Sequence, residues 1–151
     1  MTTCQICGRA IKAANGLIAH HGYKRPGSGW QTSSCFGARW QPYEAARDAI
    51  PEAIKSLEAF AARLAARNAE MLAEPPATLT AQPRYRGDRS RTFTKPEGFV
   101  AVARASYRTP YESEFWHQVH ANRREIESAQ AQRSFMQDRF DNWPGVAANA
   151  A

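Results

Sequence analysis

Apolar positions recur at alternating spacings of four and three through Ile50, Ile54, Leu57, Ala61 and Leu64, then on through Asn68 and Met71. A side chain returns to the same helix face every 3.6 residues, so this rhythm predicts one long helix over 43–74. Pro51 stands near its start, where a first turn tolerates proline. Either the helix begins near Pro51 after a separate short turn, or it kinks there. Glu74-Pro75-Pro76 ends it. A second stripe runs through Val119, Asn122, Ile126, Ala129, Arg133, Met136 and Phe140. Phe115, Trp116 and Trp143 thicken its ends, and Pro144-Gly145 stops it. It predicts a helix over 111–143, followed by a loose tail, 144–151. Neither stripe can be buried by its own helix, so the two are expected to pack as an antiparallel hairpin, with Asn68, Asn122 and Arg133 setting register.

The connection, 75–110, reads as two pieces. Residues 75–90 are rich in proline, polar residues and arginine, as in an extended linker. Beyond them, Arg91-Thr92-Phe93-Thr94 and Phe99-Val100-Ala101-Val102 flank the turn sequence Lys95-Pro96-Glu97-Gly98, which predicts a small β-hairpin.

Residues 1–42 have no such periodicity. Their organisation comes from ligand-type side chains. Cys4 and Cys7 have the two-residue gap that lets two thiolates of one turn face one ion. His20 follows Cys7 after twelve residues, and Ile11 and Leu17 stand between them. This resembles the front half of a Cys2His2 zinc finger, in which a hairpin carries the cysteines and a helix the histidine. The second histidine of a finger is missing; Lys24, Arg25 and Pro26 stand in its place, and Cys35 is the next ligand-type residue. The expectation is a Cys3His zinc site made by Cys4, Cys7, His20 and Cys35. His21 is the alternative histidine, because adjacent helical residues point about 100° apart and one of the two faces the ion. Four protein ligands close a tetrahedral site, and closed sites are structural.

The chain has 151 residues, a net charge of +6 and a hydrophobic fraction of 43 %, much of it alanine. That composition suits a small module with an extended part better than one large core. Residues 1–43 carry five Lys/Arg and no acid, and 77–110 carry seven Lys/Arg and two acids, whereas both helices are mildly acidic. No carboxylate in the first 43 residues could serve as general base beside a metal-bound water. The expectation is therefore a protein that is not an enzyme. A treble-clef or His-Asn-His nuclease using His21 and Asn15 is the catalytic alternative, but their spacing matches no such motif. Glu114, His117 and His120 have the spacing of half a di-iron motif without its second half, and read as surface or packed residues.

Basic residues of the finger rim, Arg9, Lys12, Lys24 and Arg25, and of the connection, Arg84, Arg86, Arg89 and Arg91, are the candidate nucleic-acid contacts. Tyr85 and Phe93 would stack on unpaired bases. The alternative is a protein partner, or self-association, through helices 43–74 and 111–143. No apolar run is long enough for a membrane span or signal peptide, and three metal-type cysteines suit a reducing cytoplasm. Taken with His20-His21-Gly22-Tyr23, Pro26-Gly27 and Ser34-Cys35, the first 50 residues resemble small zinc-binding proteins of phages and bacterial prophages. That resemblance implies an accessory or regulatory protein of the bacterial host cell or the virion, such as a modulator of a host complex. It implies no reaction. The fold expected is mainly α: a small α+β zinc module, then a long antiparallel helical hairpin joined by a basic segment.

Overall fold

The computed structural model describes residues 1–24, 31–83, 87, 89–103 and 106–145. Arg25, Trp30, Arg84, Tyr85, Arg86 and the tail 146–151 lie outside the described residues. The described chain is mixed α+β rather than mainly α. Two long helices are joined by four two-stranded antiparallel sheets.

The first six strands are short. β1 (Thr2–Thr3) pairs with β2 (Ala10–Ile11), β3 (Ala13–Ala14) with β4 (Leu17–Ile18), and β5 (Gly22–Lys24) with β6 (Gln31–Ser34). The helix expected to carry the histidine does not form. Asn15 and Gly16 both take positive φ, 53° and 79°, and turn the chain between Ala14 and Leu17. Two left-handed residues match the twist of a two-residue hairpin, and Asn-Gly is the pair that adopts them most readily. That dipeptide is the signal that separates a hairpin here from a finger helix.

Helix α1 spans Ala49–Ala73 and α2 spans Pro110–Asp141. The periodic stripes anticipated both. Residues 43–48, expected as helix, form turns instead, and Pro51 falls in the first turn of α1. At the start of α2, Thr109 Oγ1 accepts from the Glu112 N–H at 3.2 Å, and Glu112 reaches back to the Arg108 N–H at 2.6 Å. These bonds occupy N–H groups that an unaided helix end leaves unpaired.

The chain divides into two compact units, Met1–Phe60 with Ser128–Ala151, and Ala61–Glu127. In the first, α1 and α2 segments run antiparallel: Arg47 Nη1 donates to the Phe140 carbonyl, and Glu58 pairs with Arg133 at 2.9 Å. Ile50, Ala53 and Met136 pack there with Ile6, Ile18 and the three cysteines.

In the second unit, Asn68 is buried and takes both of its bonds across the helix pair. Its amide donates to the Val119 carbonyl at 3.1 Å, and its oxygen accepts from Asn122 at 2.7 Å. Both amides are thereby satisfied, as burial demands. β7 (Thr78–Ala81) and β8 (Arg91–Thr94) lie beside this pair. The expected hairpin is thus half right. Arg91–Thr94 is a strand, but its partner is Thr78–Ala81, within the expected linker, and not Phe99–Val102. The reason is the core. Leu79 opposes Phe93 across the ladder, and Phe99 leaves the sheet to pack edge-on against Tyr111 and Phe115 at 5.1 and 5.2 Å. Phe93 consequently faces the apolar cluster and is not a free stacking ring.

Phe115 is fully buried amid Phe99, Tyr111 and Trp116. Phe115→Ala should destabilise the second unit by about 3–5 kcal/mol, the usual cost of such a cavity. Chemical denaturation followed by aromatic fluorescence should show the loss.

Candidate metal centre

β1 and β2 hold the loop Cys4–Arg9 as a tight knuckle. The Cys4 N–H donates to the Arg9 carbonyl at 2.9 Å, the Gly8 N–H to the Cys4 carbonyl at 3.1 Å, and Gly8 takes φ 69°. This turn aims Cys4 and Cys7 the same way. Cys35 opens a second turn, closed by the Ala38 N–H on the Cys35 carbonyl at 3.0 Å. The two turns touch at Gly37. A Cβ built on Gly37 would stand 2.4 Å from Cys4 Sγ and 3.1 Å from Ile6 Cγ1, so any side chain is excluded.

The histidine that joins them is His21. The Cys35 N–H donates to the His21 carbonyl at 2.9 Å, which sets the two residues side by side. The ligand atoms of Cys4, Cys7, His21 and Cys35 all lie within 4.8 Å of one another. His20, the expected ligand, is outside this group; its Nε2 meets the Ser34 hydroxyl instead. Residues 19–22 link two strands rather than forming a helix, and neighbours in extended chain point to opposite sides. The finger spacing therefore indicated the wrong member of the pair.

The geometry suits an ion. Cys4 Sγ and Cys35 Sγ are 3.8 Å apart, and Cys7 Sγ and His21 Nε2 are 3.4 Å apart. A tetrahedral ion with metal–sulfur bonds of about 2.3 Å and metal–nitrogen bonds of ~2.0 Å has edges of about 3.8 and 3.5 Å. The sulfurs are far beyond disulfide distance, and all three cysteines are free and buried. His21 Nδ1 donates to the Ala19 carbonyl at 2.8 Å, which leaves the Nε2 lone pair to face the thiols. Ligating histidines are commonly oriented in this way.

Three thiols this close cannot hold their protons equally. Hydrogen bonds from Cys35 and Cys4 hold the Cys7 thiol far below its ordinary value. The Cys35 thiol is pushed far above, by hydrogen bonds with Cys4 and Cys7 and by burial. A cation would replace these protons on binding.

Two residues that the periodicity did not single out tie the knuckle to the helices of its unit. Gln5 lies between the two cysteines and is fully buried. Its amide nitrogen donates to the Gln41 carbonyl at 2.9 Å and to Asp48 at 3.0 Å, while its oxygen accepts from the Ala49 N–H, at the start of α1, at 2.9 Å. Arg139, near the end of α2, donates to the Gln5 carbonyl at 3.0 Å and the Cys4 carbonyl at 3.3 Å, and lies over the Tyr43 ring. Glu44, the first acid of the chain, receives the Thr3 N–H at 2.9 Å. Burial alone would raise its carboxyl, but the bonds from Thr3 and the charge of Arg139 hold it below the usual value.

Of the basic rim, Lys12 is exposed, and Arg9 is half-buried with Nη1 on the Gly22 carbonyl at 3.0 Å. Arg89 and Arg91 are exposed in the second unit, where they line a groove of about 760 Å³ with Phe93, Ser113 and Glu114. His117 is exposed and His120 packs on Trp116, with ring centres 5.7 Å apart; neither belongs to a metal-type cluster among the described residues. No described helix is long and apolar enough to cross a membrane. No protein-family model, curated protein or solved structure matches the chain.

His21→Ala should abolish tight metal binding while His20→Ala keeps about one ion per chain, as measured by elemental analysis after gel filtration. Gly37→Ala should weaken metal binding at least tenfold without touching a ligand, since its Cβ would stand where Cys4 Sγ lies; competition with a chromophoric chelator reads this directly.

Proposed function

We propose that this chain is a zinc-stabilised, non-enzymatic protein that contacts nucleic acid through the acid-free face of its first 43 residues. The observation that carries the first half is the closed donor set: three cysteines and one histidine leave a tetrahedral ion no position for water or substrate. Zinc is the ion proposed, because soft thiolates with one imidazole and tetrahedral spacing suit it best. The three thiolates require a reducing compartment to stay available, and the bacterial cytoplasm would supply it.

Charge carries the second half. Residues 1–43 hold Arg9, Lys12, Lys24, Arg25 and Arg39, with no acid among them. Zinc with three thiolates contributes about one negative charge, so this face stays positive when loaded. Phosphates are the common ligand of such a surface. Arg84 and Arg86 would extend it if the connection reaches the same strand. Arg89 and Arg91 suit the role less well, since Glu114 shares their groove and Phe93 packs inward. The other reading, an assembly factor that docks through α1 and α2, has less support. The large apolar side chains of both helices are buried or half-buried rather than presented to a partner.

About four phosphate contacts predict a ~100-fold loss of affinity between 50 and 200 mM salt. Lys12→Glu, Lys24→Glu and Arg25→Glu together should abolish binding to an oligonucleotide, with metal content unchanged. Fluorescence anisotropy across a salt series tests both. Binding that ignores salt, or survives the triple reversal, would remove the nucleic-acid half and leave the zinc half standing.

A further inference from the structure

A two-stranded sheet leaves half of its backbone groups facing outward. In the β7–β8 ladder, the Lys95 N–H donates to the Ala77 carbonyl at 2.8 Å, and the register pairs Leu79 with Phe93 and Ala81 with Arg91. Hydrogen-bonded pairs alternate in an antiparallel ladder, so these three are the bonded pairs, and the N–H and C=O groups of Thr92 and Thr94 point away from β7. The opposite edge is attended: Gln118 Nε2 donates to the Thr80 carbonyl at 3.3 Å. Among the described residues, nothing meets the outer groups of Thr92 and Thr94. Arg89, Arg91, Thr92 and Thr94 are all exposed. By the two-residue period of extended chain, Arg89 and Arg91 share the groove side of β8 with Phe93.

We infer that the outer edge of β8 is a docking site for an extended acidic segment of another protein, which adds as a third strand with carboxylates two residues apart facing Arg91 and Arg89. The backbone of Thr92 and Thr94 supplies donors and acceptors in strand spacing, and the two arginines supply the charge preference. The same features select among occupants. A second copy of this chain, paired antiparallel in either register that engages Thr92, sets its Lys95 opposite Arg91 or Arg89, and like charges directly opposite repel. A nucleic-acid backbone offers acceptors alone and would leave the Thr92 and Thr94 carbonyls facing phosphates. A peptide strand satisfies both.

The test uses the metal-loaded full chain and a labelled (Val-Glu)4 peptide, with (Val-Lys)4 and oligothymidylate as comparisons, read by fluorescence anisotropy. The glutamate peptide should bind and the lysine peptide should not. Thr92→Pro removes one outward donor at an edge position that tolerates proline, and should weaken binding at least tenfold with the far-ultraviolet circular dichroism unchanged. Arg89→Glu with Arg91→Glu should reverse the preference in favour of the lysine peptide. Equal binding of the glutamate peptide by Thr92→Pro would overturn the edge. Binding of oligothymidylate lost in the double reversal, with no peptide bound, would overturn it in favour of nucleic acid. A dimer in solution that Thr92→Pro dissolves would overturn it in favour of a second copy.

Discussion

Everything in the first unit depends on how the Cys4–Cys7 knuckle is anchored. Four side-chain donors gather within 4.8 Å, yet three of them come from loops with almost no regular structure. Loops this short do not hold thiols together by themselves. The backbone bonds of the knuckle, the absence of a side chain at Gly37 and the bond from the Cys35 N–H to His21 bring them together. Gln5 then fastens the knuckle to the start of α1, and Arg139 fastens it near the end of α2. A buried glutamine with both of its polar atoms satisfied specifies one arrangement of these parts, because any other would leave a polar atom unpaired.

The same economy appears in the second unit with different chemistry. There the core is aromatic: Phe99, Tyr111, Phe115 and Trp116 pack in edge and offset contacts. Asn68 plays the part that Gln5 plays in the first unit, a buried amide whose partners lie on the facing helix. Each helix contributes to both units, so each is supported by two cores of unlike composition. The mixed seam, in which asparagine and alanine alternate with large apolar residues, follows from this use. It packs locally without presenting an apolar stripe to solvent.

Function is carried by the parts that these cores leave at the surface. The proposed zinc is a fastener rather than a catalyst, and its benefit is a rigid, acid-free face built from loops that could not otherwise be rigid. The β8 edge is a second such surface. It offers backbone rather than metal-ordered loops, and its arginines give it a sign preference. The two surfaces differ in what they recognise, and each can be removed by substitutions that leave the other untouched.

The sequence by itself determined the features that depend on local spacing. The cysteine spacing announced a metal cluster, and the alternating four-and-three stripe announced both helices to within a few residues, apart from the turns at 43–48. The Asn15-Gly16 turn was also legible, as a hairpin dipeptide, although the finger-like spacing around it argued for a helix. Tertiary structure decided what local spacing leaves equal. His20 and His21 are chemically identical neighbours, and the backbone bond between His21 and Cys35 chooses between them. Residues 78–81 and 99–102 could each pair with 91–94, and the aromatic core chooses by claiming Phe99. Gln5 and Arg139 have no periodic signature, because their partners lie 44 and 134 residues away along the chain. Contacts at that separation form only after the chain has folded back on itself, so no local pattern of residues can encode them.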